Sequence, residues 1–275
     1  MAFPFVWMLL TALKSDSETR GIPALRLLPS RWLWGNFVEA WKAEPFGAYF
    51  LNTFIAAGLV TVGVVLTSLL AGYAFARIDF WGKRVLFALF LATMMVPFEV
   101  VLVPDYLIVT EMKRWLVGGA TSLFGHGART PAVTVAAFGA LAVPWIANAF
   151  SIFLVTQFFR QLPDDYYDAA RLDGCGHWQF VWRIGAPMVA PALVTAGLFS
   201  FLGSWNSLLW PLVININADE APVIQVALAR LVRDEQQGFN LLMAASTFTI
   251  LPVVFLYLIA QRRFIEGVAG TGIKG

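Results

Sequence analysis

The chain has 275 residues, of which 59% are hydrophobic and only 13% charged, whereas a soluble domain is nearer half apolar and a quarter charged. Uncharged runs of 20 residues or more argue for membrane spans instead. The net charge of +2 gives no basis for nucleic-acid binding, and a single cysteine, Cys175, excludes an internal disulfide and a thiol metal cluster.

Residues 1–13, M-A-F-P-F-V-W-M-L-L-T-A-L, are apolar but shorter than a span, which needs about 20 residues. They lack the basic leader and cleavage site of a signal peptide. They read as a short re-entrant or surface segment, or as part of a span that should be complete. Residues 14–44 are polar, are broken by Pro23 and Pro29, and carry Trp32, Trp34 and Trp41, as expected at a membrane interface. Residues 45–76 are uncharged and ample for a span, with Gly58, Gly63 and Gly72 forming a small-residue face for helix packing. A basic turn follows at 77–84. The next apolar run, 85–104, holds one charge, Glu99, just after Pro97. Residues 105–130 read as a loop, with Gly118-Gly119 and Gly125-His126-Gly127 in it.

The run 132–159 contains no Asp, Glu, Lys or Arg, and neither does 184–218. Pro144 and Pro211 are placed to bend or break helices. Between these runs lies a polar island, Pro163 to Pro187. A charged segment there must lie in water. Pro163 can open a helix, Asp164 and Asp165 suit its positive end, and Gly174 can end it. A second short helix can form over Trp178–Ile184 before Pro187. Ala169-Ala170 offers a small face that another protein can approach. The island therefore reads as a docking helix–turn–helix. A polar loop at 219–238 and a last apolar run, 240–260, complete the chain.

The expected fold is all-α and transmembrane, with about six spans near 1–13, 49–76, 85–104, 132–159, 187–214 and 240–260, the first short or truncated. Arg77, Lys83, Arg84, Arg160, Arg262 and Arg263 directly flank apolar runs. The positive-inside bias then puts the 163–187 island and both termini in the cytoplasm.

No G-x-S-x-G, H-E-x-x-H or phosphate-binding G-x-x-x-x-G-K-[ST] occurs, so the sequence points to no catalytic residues, no nucleotide site and no metal. His126 and His177 lie in different loops. The candidate translocation-path residues are Glu99, Asn148, Trp205 and Asn206. Glu99 is either a pathway carboxylate or a hydrated residue near the outer interface. Asn148 and Asn206 suit interhelical hydrogen bonds or solute contacts. Trp205 and Trp210 suit a sugar face or an interfacial belt.

With spans but no energy source, the chain looks like the membrane half of a larger device. The island resembles the cytoplasmic loop of ABC-importer permeases, E-A-A, three residues, G, nine residues, I-x-L-P. Here the anchors are Asp168, Ala169, Ala170, Gly174, Ile184 and Pro187 at matching spacing, with Asp168 in place of Glu and Ala186 in place of Leu. The wider chain resembles the carbohydrate branch, of the maltose-importer second-permease kind. The residues that carry this are F-P-F-V-W-M-L-L-T-A-L-K at Phe3, L-N-T-F at Leu51, A-G-Y-A-F-A-R at Ala71, M-M-V-P at Met94, Q-F-F-R-Q-L-P at Gln157, W-N-S-L-L-W-P-L at Trp205 and the terminal G-T-G-I-K-G. The resemblance implies one transmembrane domain over 1–275 in a prokaryotic inner membrane. It also implies a second permease, two ABC ATPases that bind ATP and Mg, and an extracytoplasmic solute-binding protein, with no cofactor on this chain. The six anchor residues would couple to the ATPase. The implied solute is a sugar, oligosaccharide or polyol, with glycerol-3-phosphate the nearest rival. An ion-coupled stand-alone carrier is the reading from a different class.

Overall fold

The structure, a computed structural model, describes residues 3–19, 27–124, 129–214, 221–233 and 238–269. The terminal G-T-G-I-K-G, His126, and residues 219–220 and 234–237 lie outside these residues; the rest of the 219–238 stretch, expected to be a loop, holds a helix over Ile224–Arg233, because Ile224, Val226, Ala227 and Leu231 share one buried face. Among the described residues every regular element is helical, as the sequence predicts. The helices are α1 (Phe3–Ala12), α2 (Asp16–Thr19), α3 (Gly35–Ala43), α4 (Phe46–Arg77), α5 (Lys83–Ala92), α6 (Phe98–Phe124), α7 (Arg129–Ala142), α8 (Ala149–Gln161), α9 (Asp164–Leu172), α10 (His177–Phe180), α11 (Ala186–Met188), α12 (Ala190–Trp205), α13 (Leu209–Ile214), α14 (Ile224–Arg233) and α15 (Phe239–Ala269).

Among the described residues two stretches, Phe46–Arg77 and Phe239–Leu258, are long and apolar enough to cross a bilayer unbroken. Three more candidates are bent pairs. Lys83–Met95 and Phe98–Leu123 meet at 105°, Ala132–Trp145 and Ala149–Gln161 at 56°, and His177–Met188 and Ala190–Trp205 at 80°. With the short apolar α1, this is compatible with about six spans. The expected loop at 105–130 is instead helical as far as Phe124, because α6 starts after Pro97 and runs on through Pro104. Pro104 is the seventh residue of α6, so it removes one interior backbone hydrogen bond without ending the helix.

By contacts the chain forms two compact units, one of residues 1–54 and 206–260, the other of 55–205 and 261–275. In the first, Asn36 donates to the carbonyls of Ala12 and Lys14, both at 2.8 Å. Trp41 packs on Phe46, Phe50 and Phe248 with ring centroids 6.0, 5.9 and 5.3 Å apart. The L-N-T-F stretch has a local task here: Asn52 donates to the Pro222 carbonyl at 3.0 Å, and Thr53 Oγ1 accepts from the Ile224 amide at 2.9 Å. That amide is one of the donors left open at the start of α14.

Glu18 closes a small turn in the same unit. Its carboxylate is held by the Ser30 hydroxyl and by the Ser15 and Ser30 amides, and these bonds lower its pKa to about 2. The amides donate at 2.9 Å and 3.0 Å.

In the second unit α4 packs against α8. A Cβ on Gly72 would lie 2.8 Å from Val155 Cγ1, so this crossing requires glycine. The neighbouring core holds Leu69, Tyr73, Val155, Phe159, Ala170, Phe180, Val181, Val189 and Ala192. Where the α7–α8 pair breaks, Thr67 Oγ1 donates to the freed Ile146 carbonyl at 2.6 Å. A backbone acceptor left open inside a bilayer has no water to turn to.

Two outcomes follow. Gly72→Ala forces an overlap that costs about 1–3 kcal/mol. Gly58→Ala, where a Cβ meets nothing within 4 Å, is neutral or gains up to about 1 kcal/mol of helix propensity. Thermal unfolding of the detergent-solubilised protein should rank them in that order. The Glu18 contribution is complete above the ordinary carboxylate range and is lost as pH falls toward about 2. Hydrogen exchange at the Ser15 amide should therefore accelerate only on that acid side, and Glu18→Gln should abolish the acid step.

Candidate functional site

The polar island folds as a helix–turn–helix. Pro163 sits at the N-cap of α9, with Asp164 and Asp165 in the first turn, where carboxylates are favoured by the helix dipole. The helix ends in a Schellman cap. The Gly174 amide donates to the Arg171 carbonyl at 3.0 Å and the Cys175 amide to the Ala170 carbonyl at 2.9 Å. This cap needs a left-handed residue, and Gly174 has φ +77°. A Cβ there would meet nothing within 4 Å, so the demand for glycine is conformational and not steric. The second arm is α10, a wide turn over Val181–Gly185 and α11.

One face of this element is buried against its own spans. Ala170, Phe180 and Val181 enter the core with Leu69, Tyr73, Val155 and Phe159, and Ile184 packs on it half-buried. Ala170 therefore faces inward, and only Ala169 of the alanine pair lies at the surface. Asp168, Gly174 and Pro187 are exposed. The outward face adds residues that the sequence reading did not single out: Leu172, 90% exposed, Trp178, 65% exposed, and Tyr166. Large apolar side chains beside Asp165, Asp168 and Asp173 make a mixed apolar and acidic surface.

Span α4 grips the element from the side. Arg77, the last residue of α4, donates to the Asp164 carboxylate and to the carbonyls of Phe159 and Leu162 at the end of α8. The ion pair contributes little, about 0–1 kcal/mol, because Asp164 is exposed. The carbonyl bonds to a guanidinium are the stronger part. One turn earlier, the Tyr73 hydroxyl lies 2.7 Å from His177 Nδ1, with the Tyr167 hydroxyl 3.2 Å from the same nitrogen. Gly72, Tyr73 and Arg77 give the A-G-Y-A-F-A-R stretch its structural task, although the sequence offered no sign of what it touches.

The four candidate path residues all stand at helix ends. Glu99 is exposed in the first turn of α6, just past the break at Val96-Pro97. Asn148 is the N-cap of α8, its Oδ1 accepting from the Ser151 amide at 3.0 Å. This is a local capping role beside the interhelical or solute-contact roles that the sequence suggests. The Phe98 and Trp145 rings, 5.1 Å apart, bring these two breaks together. Trp205 ends α12 fully buried, stacked on Phe201 at 5.6 Å, and Asn206 is exposed in the turn that follows. Among the described residues no three His, Cys, Asp or Glu side chains gather as metal ligands.

These features define a polytopic helical membrane protein with a water-facing helix–turn–helix between two of its spans. Residues 63–269 match the binding-protein-dependent transport system inner membrane component family, and the chain belongs to it. It is 30% identical over 267 residues to the diacetylchitobiose uptake system permease protein NgcG of Streptomyces coelicolor, covering 97% of this chain and 82% of that one. It is 29% identical to the arabinooligosaccharides transport system permease protein AraQ of Bacillus subtilis, over 99% and 90% of the two chains. The sn-glycerol-3-phosphate transport system permease protein UgpE of Yersinia pestis is also 29% identical, over 98% and 91%. A chain in the crystal structure of a bacterial ABC transporter involved in the import of the acidic polysaccharide alginate shares the fold. Its TM-score is 0.77 at 21% identity, over 96% of this chain and 90% of that one.

The left-handed cap gives a direct test. Gly174→Ala should cost about 1–2 kcal/mol locally, raising hydrogen exchange at the Gly174 and Cys175 amide positions roughly tenfold. Gly174→Asn, which tolerates the left-handed region, should raise it much less.

Proposed function

We propose that this chain is the permease subunit of an ATP-driven importer and forms half of its translocation path for a neutral oligosaccharide. The other half comes from a second permease. ATP and Mg are bound by two ATPase subunits, and an extracytoplasmic binding protein delivers the solute. Both termini face the cytoplasm, as does the 163–187 element. The observation that carries this reading is the outward face of that element. Leu172, Trp178 and Tyr166 are exposed in water beside three carboxylates, a surface that favours an apolar groove with a basic rim. Asp168, Ala169 and Gly174 lie on or beside this face, while Ala170 and Ile184 set its seat against the spans and Pro187 stands exposed at the end of the second arm.

The choice of solute rests on charge. The candidate path residues at the helix breaks include one carboxylate, Glu99, and two amides, Asn148 and Asn206, and no Lys or Arg lies in 45–76, 85–104, 132–159 or 184–218. A lone carboxylate repels a phosphate ester and accepts hydrogen bonds from sugar hydroxyls. Neutral oligosaccharide is therefore favoured over sn-glycerol-3-phosphate.

Reconstitution with the partner subunits into proteoliposomes tests both points. Diacetylchitobiose, an arabinooligosaccharide and sn-glycerol-3-phosphate serve as probes. Uptake should require the ATPase and favour one of the two sugars. Leu172→Asp should abolish uptake and ATPase binding while the permease still inserts. Uptake by this chain alone would make it a stand-alone carrier, and preference for the phosphate ester would overturn the solute class.

A further inference from the structure

The chain enters the 163–187 element from α8 and leaves it through α11 into α12, so covalent connection passes any load on it to those helices. The contacts add a third. Tyr73 and Arg77 lie one turn apart at the end of α4, and each holds a different arm. Arg77 binds Asp164 at the start of the first arm, together with the Phe159 and Leu162 carbonyls. Tyr73 reaches His177 at the start of the second arm, with Nδ1 2.7 Å from its hydroxyl. Its ring is buried and packs on Phe159 at 5.7 Å and Phe180 at 5.8 Å. A single contact would be a pivot about which the element could turn. Two contacts on separate arms fix its orientation on α4. The close crossing at Gly72 brings the two side chains within reach.

We propose that Tyr73 and Arg77 are positioning residues that lock α4 to the docking element, so that the two move as one body when the ATPase changes nucleotide state. The inference rests on the reading of 163–187 as the ATPase-docking element. Coupling of this kind requires a rigid connection, since a bistable machine transmits only what its parts do not absorb by local bending. Arg77 suits the task better than lysine would, because its planar fork serves three acceptors at once.

The experiment uses the complete transporter in proteoliposomes. Spin labels are placed at Val62→Cys on an exposed position of α4 and at Gln179→Cys on an exposed position of α10, with Cys175→Ser removing the native thiol. The distance between labels is measured by pulsed electron resonance without nucleotide and with a non-hydrolysable ATP analogue. The locked body predicts one distance in both states. Tyr73→Phe with Arg77→Lys keeps the ring and the charge but removes the hydroxyl and the fork. It should give two distances, one per state, and lower uptake of diacetylchitobiose or the arabinooligosaccharide, whichever is carried, per ATP hydrolysed. A distance that shifts with nucleotide in the otherwise unaltered chain overturns the lock. So does a Tyr73→Phe/Arg77→Lys variant with one distance and unchanged uptake per ATP. Failure of the docking reading is separate, and shows as ATPase binding that survives Leu172→Asp.

Discussion

A helix that ends or breaks frees backbone groups, which lipid cannot satisfy where it surrounds them, and this constraint organises the chain. Span α4 supplies many of the remedies. Thr53 receives the Ile224 amide that opens α14, Thr67 donates to the Ile146 carbonyl at the α7–α8 break, and Arg77 closes the Phe159 and Leu162 carbonyls at the end of α8. Asn148 does the same service locally by capping α8. In soluble proteins such polar groups could be traded for water. Here each marks a place where another segment stops or turns, so the polar residues of an apolar span read as a map of its neighbours.

This arrangement lets the water-facing element be precise without being large. Its inner face shares a core with α4 and α8, so Ala170, Phe180 and Val181 are held as firmly as span residues. Its outer face is left rich in groups that prefer a partner. Burial on one side and exposure of Leu172 and Trp178 on the other make a rigid tooth whose apolar tip costs free energy in water until it is covered.

Much of this was legible in the residues. The island between two uncharged runs, its acidic start at Asp164 and its end at Gly174 follow from helix-end chemistry, and the structure has each of them. The break at Pro144 is also present, as a short tight turn before Asn148. The extent of α6 was not legible. Its charges and the Gly118-Gly119 pair look like loop composition, yet helix α6 carries them to Phe124. Nor could the sequence show that Ala170 turns inward while Ala169 turns outward, since adjacent positions differ only by rotation about the helix axis. The Tyr73–His177 and Arg77–Asp164 pairs span roughly a hundred residues of sequence, and no periodicity reports a contact of that kind.

The Schellman cap also gives the chain a built-in chemical clock. Its only cysteine, Cys175, sits half-buried at the cap, with its own amide bonded to the Ala170 carbonyl. The thiol is already partly open to solvent with the cap closed, and fraying of the cap opens it further. The rate at which a small alkylating reagent consumes the protein therefore rises with the opening of this one turn, against a background with no other thiol.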